Sequence, residues 1–153
     1  MIAFEMKPIP PADSDAWNVA EGKSGGKVTM IRYRPGLQDY LGDPRYPRRL
    51  TITWEYDDGN PSGLPSNDAS DEMRVFEDAL DQALDPERLA ILAFVHTHGG
   101  ARRWHYYLAD VTVVGERINE ALAEHPNLPI ELEVEDDPEW DEMRLVFQGC
   151  QES

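Results

Sequence analysis

Lysine is nearly missing from this chain: Lys7, Lys23 and Lys27 are its only copies in 153 residues. Cysteine occurs once, at Cys150, which excludes an internal disulfide and suits a reducing compartment. No apolar run approaches the ~18 residues of a membrane span. Met1–Trp17 carries prolines and acids where a secretory leader would need a hydrophobic stretch. Together these absences lead us to expect a soluble, cytoplasmic protein. Chemistry-bearing motifs are missing as well. There is no nucleophile elbow, phosphate-cradling glycine loop, zinc-ligand spacing or dinucleotide fingerprint. No cofactor and no metal are expected, and no catalytic residue is assigned.

Negative charge is what the chain has in excess. It holds 30 Asp and Glu against 14 Lys and Arg, a net charge of −16. The excess is uneven. Residues 1–56 carry 8 basic and 7 acidic side chains, whereas residues 57–153 carry 6 and 23. Such a surface repels nucleic-acid backbones and anionic membranes, and it attracts a basic partner. A basic protein is therefore the partner expected, with neither nucleic acid nor membrane. Arginine supplies nearly all the positive charge, and its planar fork pairs with carboxylates in directed geometry. Links between arginines and the chain's own acids are expected. Arg32, Arg34, Arg102 and Arg103 also have the chemistry to hold an anion.

One domain over residues 1–153 fits this length, and a 41% hydrophobic fraction suffices for a core. Met1–Ser14, proline-rich, reads as a loose arm. Ala16–Glu21 and Lys27–Arg34 flank the glycine-rich Gly22–Gly26 and predict a hairpin over 16–34. Pro35–Pro47 reads as an irregular connection. From Arg48 to Tyr56, Leu50, Ile52, Trp54 and Tyr56 alternate with polar residues, the period of a half-buried strand. Asp57–Pro65 is turn chemistry throughout. A helix follows, with Asn67 or Ser70 as cap, acids in its first turn, and the stripe Met73, Phe76, Leu80, Leu84; Asp85-Pro86 stops it. Leu89–His98 and Arg102–Leu108 are strands around Gly99-Gly100, which tolerates the positive φ of a tight turn. Val114, Ile118, Ala121, Leu122 and His125 outline a second helix, ended by His125-Pro126-Asn127. Ile130, Leu132 and Val134 alternate with three glutamates as another half-buried strand. A last helix over 137–147, capped by Asp137 with Pro138 following, carries Trp140, Met143 and Phe147. Residues 48–135 thus read strand, helix, strand, strand, helix, strand. That order predicts an α+β fold, a ferredoxin-like sandwich (βαββαβ) with an added N-terminal β-hairpin and a short C-terminal helix.

The large residues Trp104, Tyr106 and Leu108 share one strand face, which should meet the helices with Ile52, Trp54 and Leu132. Ile91, Ala93 and Val95 are expected beside them, and Leu92 and Phe94 on the opposite face. His96 then lies across from Arg103 or His105. His96, His98, Arg103, His105, Tyr107 and Glu55 all fall on that opposite face and form the candidate binding cluster. Three imidazoles there resemble a zinc ligand set, and Glu55, His105 and Tyr107 have the groups for acid–base work. A small metal protein or hydrolytic enzyme is thus the alternative to a non-enzymatic interaction or regulatory module. Hydrogen-bonded surface histidines are the plainer reading of the cluster. The apolar strand Leu89–His98 would be a bare edge in an unadorned sheet, which invites aggregation. The N-terminal hairpin or a second copy of the chain, making a homodimer, are the candidates to cover it.

Several motifs together carry a resemblance: Gly63-Leu64-Pro65 before the acidic helix, Phe76-Glu77-Asp78-Ala79-Leu80, the hairpin from Thr97 to Tyr107, and Asp136-Asp137-Pro138-Glu139-Trp140. They resemble the bacterial domain of unknown function 695 family over about Trp17 to Phe147. That family brings no catalytic residue. Its helix-and-hairpin part is similar to the type B regulators of ribonuclease E, small acidic ferredoxin-like proteins that bind and inhibit an enzyme. The resemblance implies a regulatory binding role.

Overall fold

The computed structural model describes residues 8–12, 15–24, 26–56, 63–125 and 128–151. The ends of the expected N-terminal arm, most of the Asp57–Pro65 turn, and Pro126-Asn127 lie outside them. Six strands are described: β1 (Asn18–Ser24), β2 (Lys27–Tyr33), β3 (Arg48–Glu55), β4 (Ala90–His98), β5 (Ala101–Leu108) and β6 (Ile130–Asp136). The helices are α1 (Asn67–Leu84), α2 (Val111–Ala121) and α3 (Asp141–Gln151), with a 3₁₀ helix at Pro35–Tyr40. All six strands join one antiparallel sheet in the order β1-β2-β4-β5-β3-β6. The fold is α+β, and the segment order from β3 to β6 is the one the periodicities predict.

Local chemistry accounts for most element ends. The Ser66 hydroxyl, not Asn67 or Ser70, caps α1 by accepting from the Ala69 N–H at 3.2 Å. Asp110 does the same for α2 through Val113. Gly99 and Gly100 have φ of 60° and 83°, so both centres of the β4–β5 turn are left-handed. That is the two-residue hairpin turn whose twist matches the flanking strands, and glycine enters it without Cβ strain. It pairs His98 with Ala101 and His96 with Arg103.

Each face of the sheet carries its own core. Leu50, Ile52, Trp54, Leu92, Val95, Trp104, Tyr106 and Leu108 pack against Met73, Phe76, Leu80 and Leu84 of α1 and Val114 and Ile118 of α2. On the opposite face, Ile91, Ala93, Phe94 and Tyr107 pack against Leu37 of the 3₁₀ helix, Ile9, and Trp140, Met143, Val146 and Phe147 around α3. Ile91 and Ala93 are therefore on the α3 side, and Leu92 on the α1 side, contrary to strict alternation. The cause is a β-bulge. Leu92 pairs with Tyr106 and Phe94 with His105, so Ala93 is the extra residue and the parity resets before Val95.

Of the two candidates to cover the edge of β4, the hairpin does so: β2 pairs with it from Met30–Thr97 to Tyr33–Phe94. Three further expectations change. Residues 8–12 of the supposed loose arm are tied down: Ile9 and Ala12 are buried, and the Ala12 N–H donates to the Asp85 carboxylate at 3.1 Å. The last helix begins at Asp141, after Trp140 at φ 58°, rather than at Asp137. Asp137 still caps it from a turn away, accepting from the Asp141 N–H at 2.7 Å. Strand β6 is where burial was overestimated. Leu132 and Val134 face the helix side opposite Ile52 and Leu50 but are 46% and 40% exposed, because β6 is an edge strand outside the helical cover.

Candidate functional site

The β4–β5 hairpin places His96, His98, Arg103, His105 and Tyr107 on the α3 side of the sheet, and β3 adds Glu55 on the same face. Their surroundings along that face differ. His96 and His98 lie along one strand with ring centroids 6.3 Å apart, and His96 is opposite Arg103. The His98 Nδ1 is 2.8 Å from the Thr29 hydroxyl on β2. These three side chains are partly buried at the open end of the face.

His105 sits deeper. Its ring stacks on Phe94 at 4.1 Å, and its Nδ1 is 3.3 Å from the Thr51 hydroxyl. Burial, then the charge of Arg49, with smaller contributions from His96 and Arg103, pushes this imidazole down to about 3. Its neutral form is the resident one at neutral pH. His96 is lowered as well, by burial and then by Arg103 and His98. Two neutral imidazoles next to a guanidinium are hydrogen-bonding groups rather than a store of positive charge.

Tyr107 belongs to the structure of the α3 joint. Its ring lies flat against Trp140 at 4.1 Å. Its hydroxyl donates to Asp137 at 2.8 Å and accepts from the Met143 N–H at 3.3 Å. Burial and the Asp137 carboxylate push this phenol far up. Glu55 is exposed at the end of β3, opposite Ala101. Among the described residues, no group of three or more His, Cys, Asp and Glu side chains is arranged to hold a metal ion.

Two other features lie outside the candidate cluster. At the joint of β3, β6 and α3, buried Arg49 donates to Glu135 at 2.9 Å and lies 4.0 Å from Asp137 and 3.8 Å from Glu142. This consumes part of the acidic C-terminal charge internally. Further exposed acids stand on β6, where Glu131 and Glu133 point to one face and Leu132 and Val134 to the other, all exposed beside an edge with no strand partner among the described residues. The alternation was legible in the sequence; that it faces solvent on both sides was not.

An α+β protein with one six-stranded antiparallel sheet, covered on both faces by helices, is the class these features define. Residues 15–144 match the family described as "Family of unknown function (DUF695)", and the chain belongs to that family. No curated protein and no solved structure matches it. Among the described residues, no helix is long and apolar enough to cross a membrane.

Proposed function

We propose that this protein is a non-enzymatic interaction module that binds a basic, extended segment of a partner protein along the free edge of β6. The observation that carries the proposal is the two-sided exposure of β6. An edge strand offers unpaired N–H and C=O groups to an added strand, and alternate side chains then set its sequence preference. Here one face would select apolar residues opposite Leu132 and Val134, and the other basic residues opposite Glu131 and Glu133. A second copy of β6 is the poorer occupant, because glutamate would then meet glutamate across the pair.

The region from β3 to β6 is read as ferredoxin-like, supported by its segment order and by the neighbour order β4-β5-β3-β6 within the sheet. That reading agrees with the likeness of the helix-and-hairpin part to the type B regulators of ribonuclease E, and extends to this chain the idea of an acidic regulator acting by docking. The alternative is a metal protein or hydrolase built on His96, His98, His105, Glu55 and Tyr107; the hydrogen bonds of the Tyr107 hydroxyl with Asp137 and Met143 favour a structural part for that phenol.

The test is binding of a short peptide alternating lysine and valine, followed by fluorescence anisotropy at low and physiological salt. Affinity should fall as salt rises, and Glu131→Lys with Glu133→Lys should abolish binding. A peptide alternating glutamate and valine should not bind. Equal binding of both peptides, or binding indifferent to the double substitution, would defeat the proposal.

A further inference from the structure

The β1–β2 hairpin carries the sheet beyond the edge of α1 and leaves a groove between that helix and strands β2, β4 and β5. Its volume is about 300 Å³. The lining is unlike the rest of this protein. Three guanidinium groups, Arg32, Arg74 and Arg102, line it against one carboxylate, Glu77, in a chain of net charge −16. Met30, Met73 and Val95 supply an apolar floor.

The single carboxylate is already engaged. Glu77 Oε1 accepts from Arg32 and from the Trp104 indole N–H at 2.8 Å. Arg32 also lies 5.0 Å over the ring of Trp17. Arg74 is paired only loosely, 3.9 Å from Asp71, with both side chains exposed. Arg102 is the under-compensated cation. Its Nε donates to the neutral Thr97 hydroxyl at 2.9 Å, and no other hydrogen bond of its guanidinium is made among the described residues. Burial and then the charge of Arg32 hold Arg102 below the usual arginine range, with Glu77 and Tyr56 opposing. With Nε on Thr97, its two terminal nitrogens form the parallel pair that matches a carboxylate.

We infer that this groove binds a small organic carboxylate, whose carboxyl group pairs with Arg102 beside Arg32 and whose short hydrocarbon body lies on Met30, Met73 and Val95. The site lies away from β6 and is independent of the docking proposed there. Size and lining favour a compact amphipathic monoanion over inorganic phosphate, which would leave the apolar floor uncovered.

Isothermal titration of the full chain with sodium butyrate tests this. A saturable one-to-one isotherm is expected, with amide shifts in ¹H–¹⁵N spectra at Ser70, Thr97 and Arg102. Butyramide, which keeps the shape and loses the charge, and sodium chloride at matched ionic strength should give neither. Arg102→Gln should weaken binding by about tenfold or more. Arg74→Glu changes an exposed side chain at the same groove, leaves the fold intact and should weaken binding as well. The inference is overturned if butyrate gives no saturable heat, if butyramide binds equally, if phosphate binds and butyrate does not, or if a folded Arg74→Glu protein binds butyrate as the parent does.

Discussion

Asp81 and His105 both couple protonation to folding between pH 3 and 8, and they act in opposite directions. Asp81, on α1, is partly buried beside Glu77, Asp85 and Asp78. Burial first, then these like charges, raise its carboxyl to about 7, with Arg32 opposing. The folded protein thus holds this proton more tightly than the unfolded chain, whose value is near 3.8. The resulting stability is fully present below that lower value and is lost as pH rises through 7. Asp81→Asn should therefore stabilise the protein at pH 8 by about 1 kcal/mol, a figure discounted for the side chain's partial exposure. It should change little at pH 4. For His105 the folded value of about 3 lies below the ordinary 6.5, so stability is complete above 6.5 and falls as pH drops toward 3. His105→Gln should flatten that acid limb. Urea unfolding across pH 4 to 8 separates the two; a parent-like acid limb in His105→Gln would show that the imidazole is solvated.

At the scale of elements, the bulge in β4 decides which side chains each core receives, and Arg34 holds it. This arginine is fully buried just after β2. Its backbone N–H donates to the Ala93 carbonyl at 3.3 Å, and its Nη1 to the Leu92 carbonyl at 3.1 Å. Nη2 reaches the Pro10 carbonyl at 2.6 Å and Nε the Asp15 carboxylate at 3.0 Å. One guanidinium thus joins the bulge, the N-terminal segment and the hairpin. Arg34→Ala should cost about 3–5 kcal/mol, since it leaves Asp15 and two carbonyls without their donor. Arg34→Lys should recover little, because an ammonium cannot span the same fork. Chemical denaturation measures both. The bulge was not legible in the sequence: Ala90–Val95 is apolar without a break, so alternation has no contrast to read. Where contrast exists, as in Leu50/Ile52/Trp54 and in the Met73–Leu84 stripe, faces and elements were read as they fold. Of the two partners that the sequence allows His96, Arg103 or His105, the two-glycine turn selects Arg103. What strand parity leaves out is which of these side chains α3 covers: Tyr107 is buried against Trp140, whereas Glu55 is exposed at the end of β3.

At the scale of the molecule, the N-terminal hairpin and α3 cover the β4 edge and the second face of the sheet. The hairpin pairs with β4, while α3, the 3₁₀ helix and residues 8–12 cover the α3-side cluster. A chain starting at residue 35 would bare the β4 edge with its apolar run Ala90–Val95, and it should aggregate at micromolar concentration. Light scattering of the truncated and full chains checks this; a monodisperse truncated protein would mean that the hairpin does not protect the edge. Charge at this scale is sorted rather than merely abundant. Arg49 neutralises acids at the α3 joint, the groove beside α1 gathers positive charge, and β6 retains exposed glutamates.

From the chain alone came the element order, the apolar stripes, the two-glycine turn and the charge asymmetry, because each depends on residues near one another along the backbone or on simple composition. Tertiary structure decided the reset of parity at Ala93, the burial of Arg34 and Tyr107, the exposure of Leu132 and Val134, and the arginine-lined groove. Each of these depends on which distant segments exclude water from a given side chain, and short-range periodicity carries no information about that.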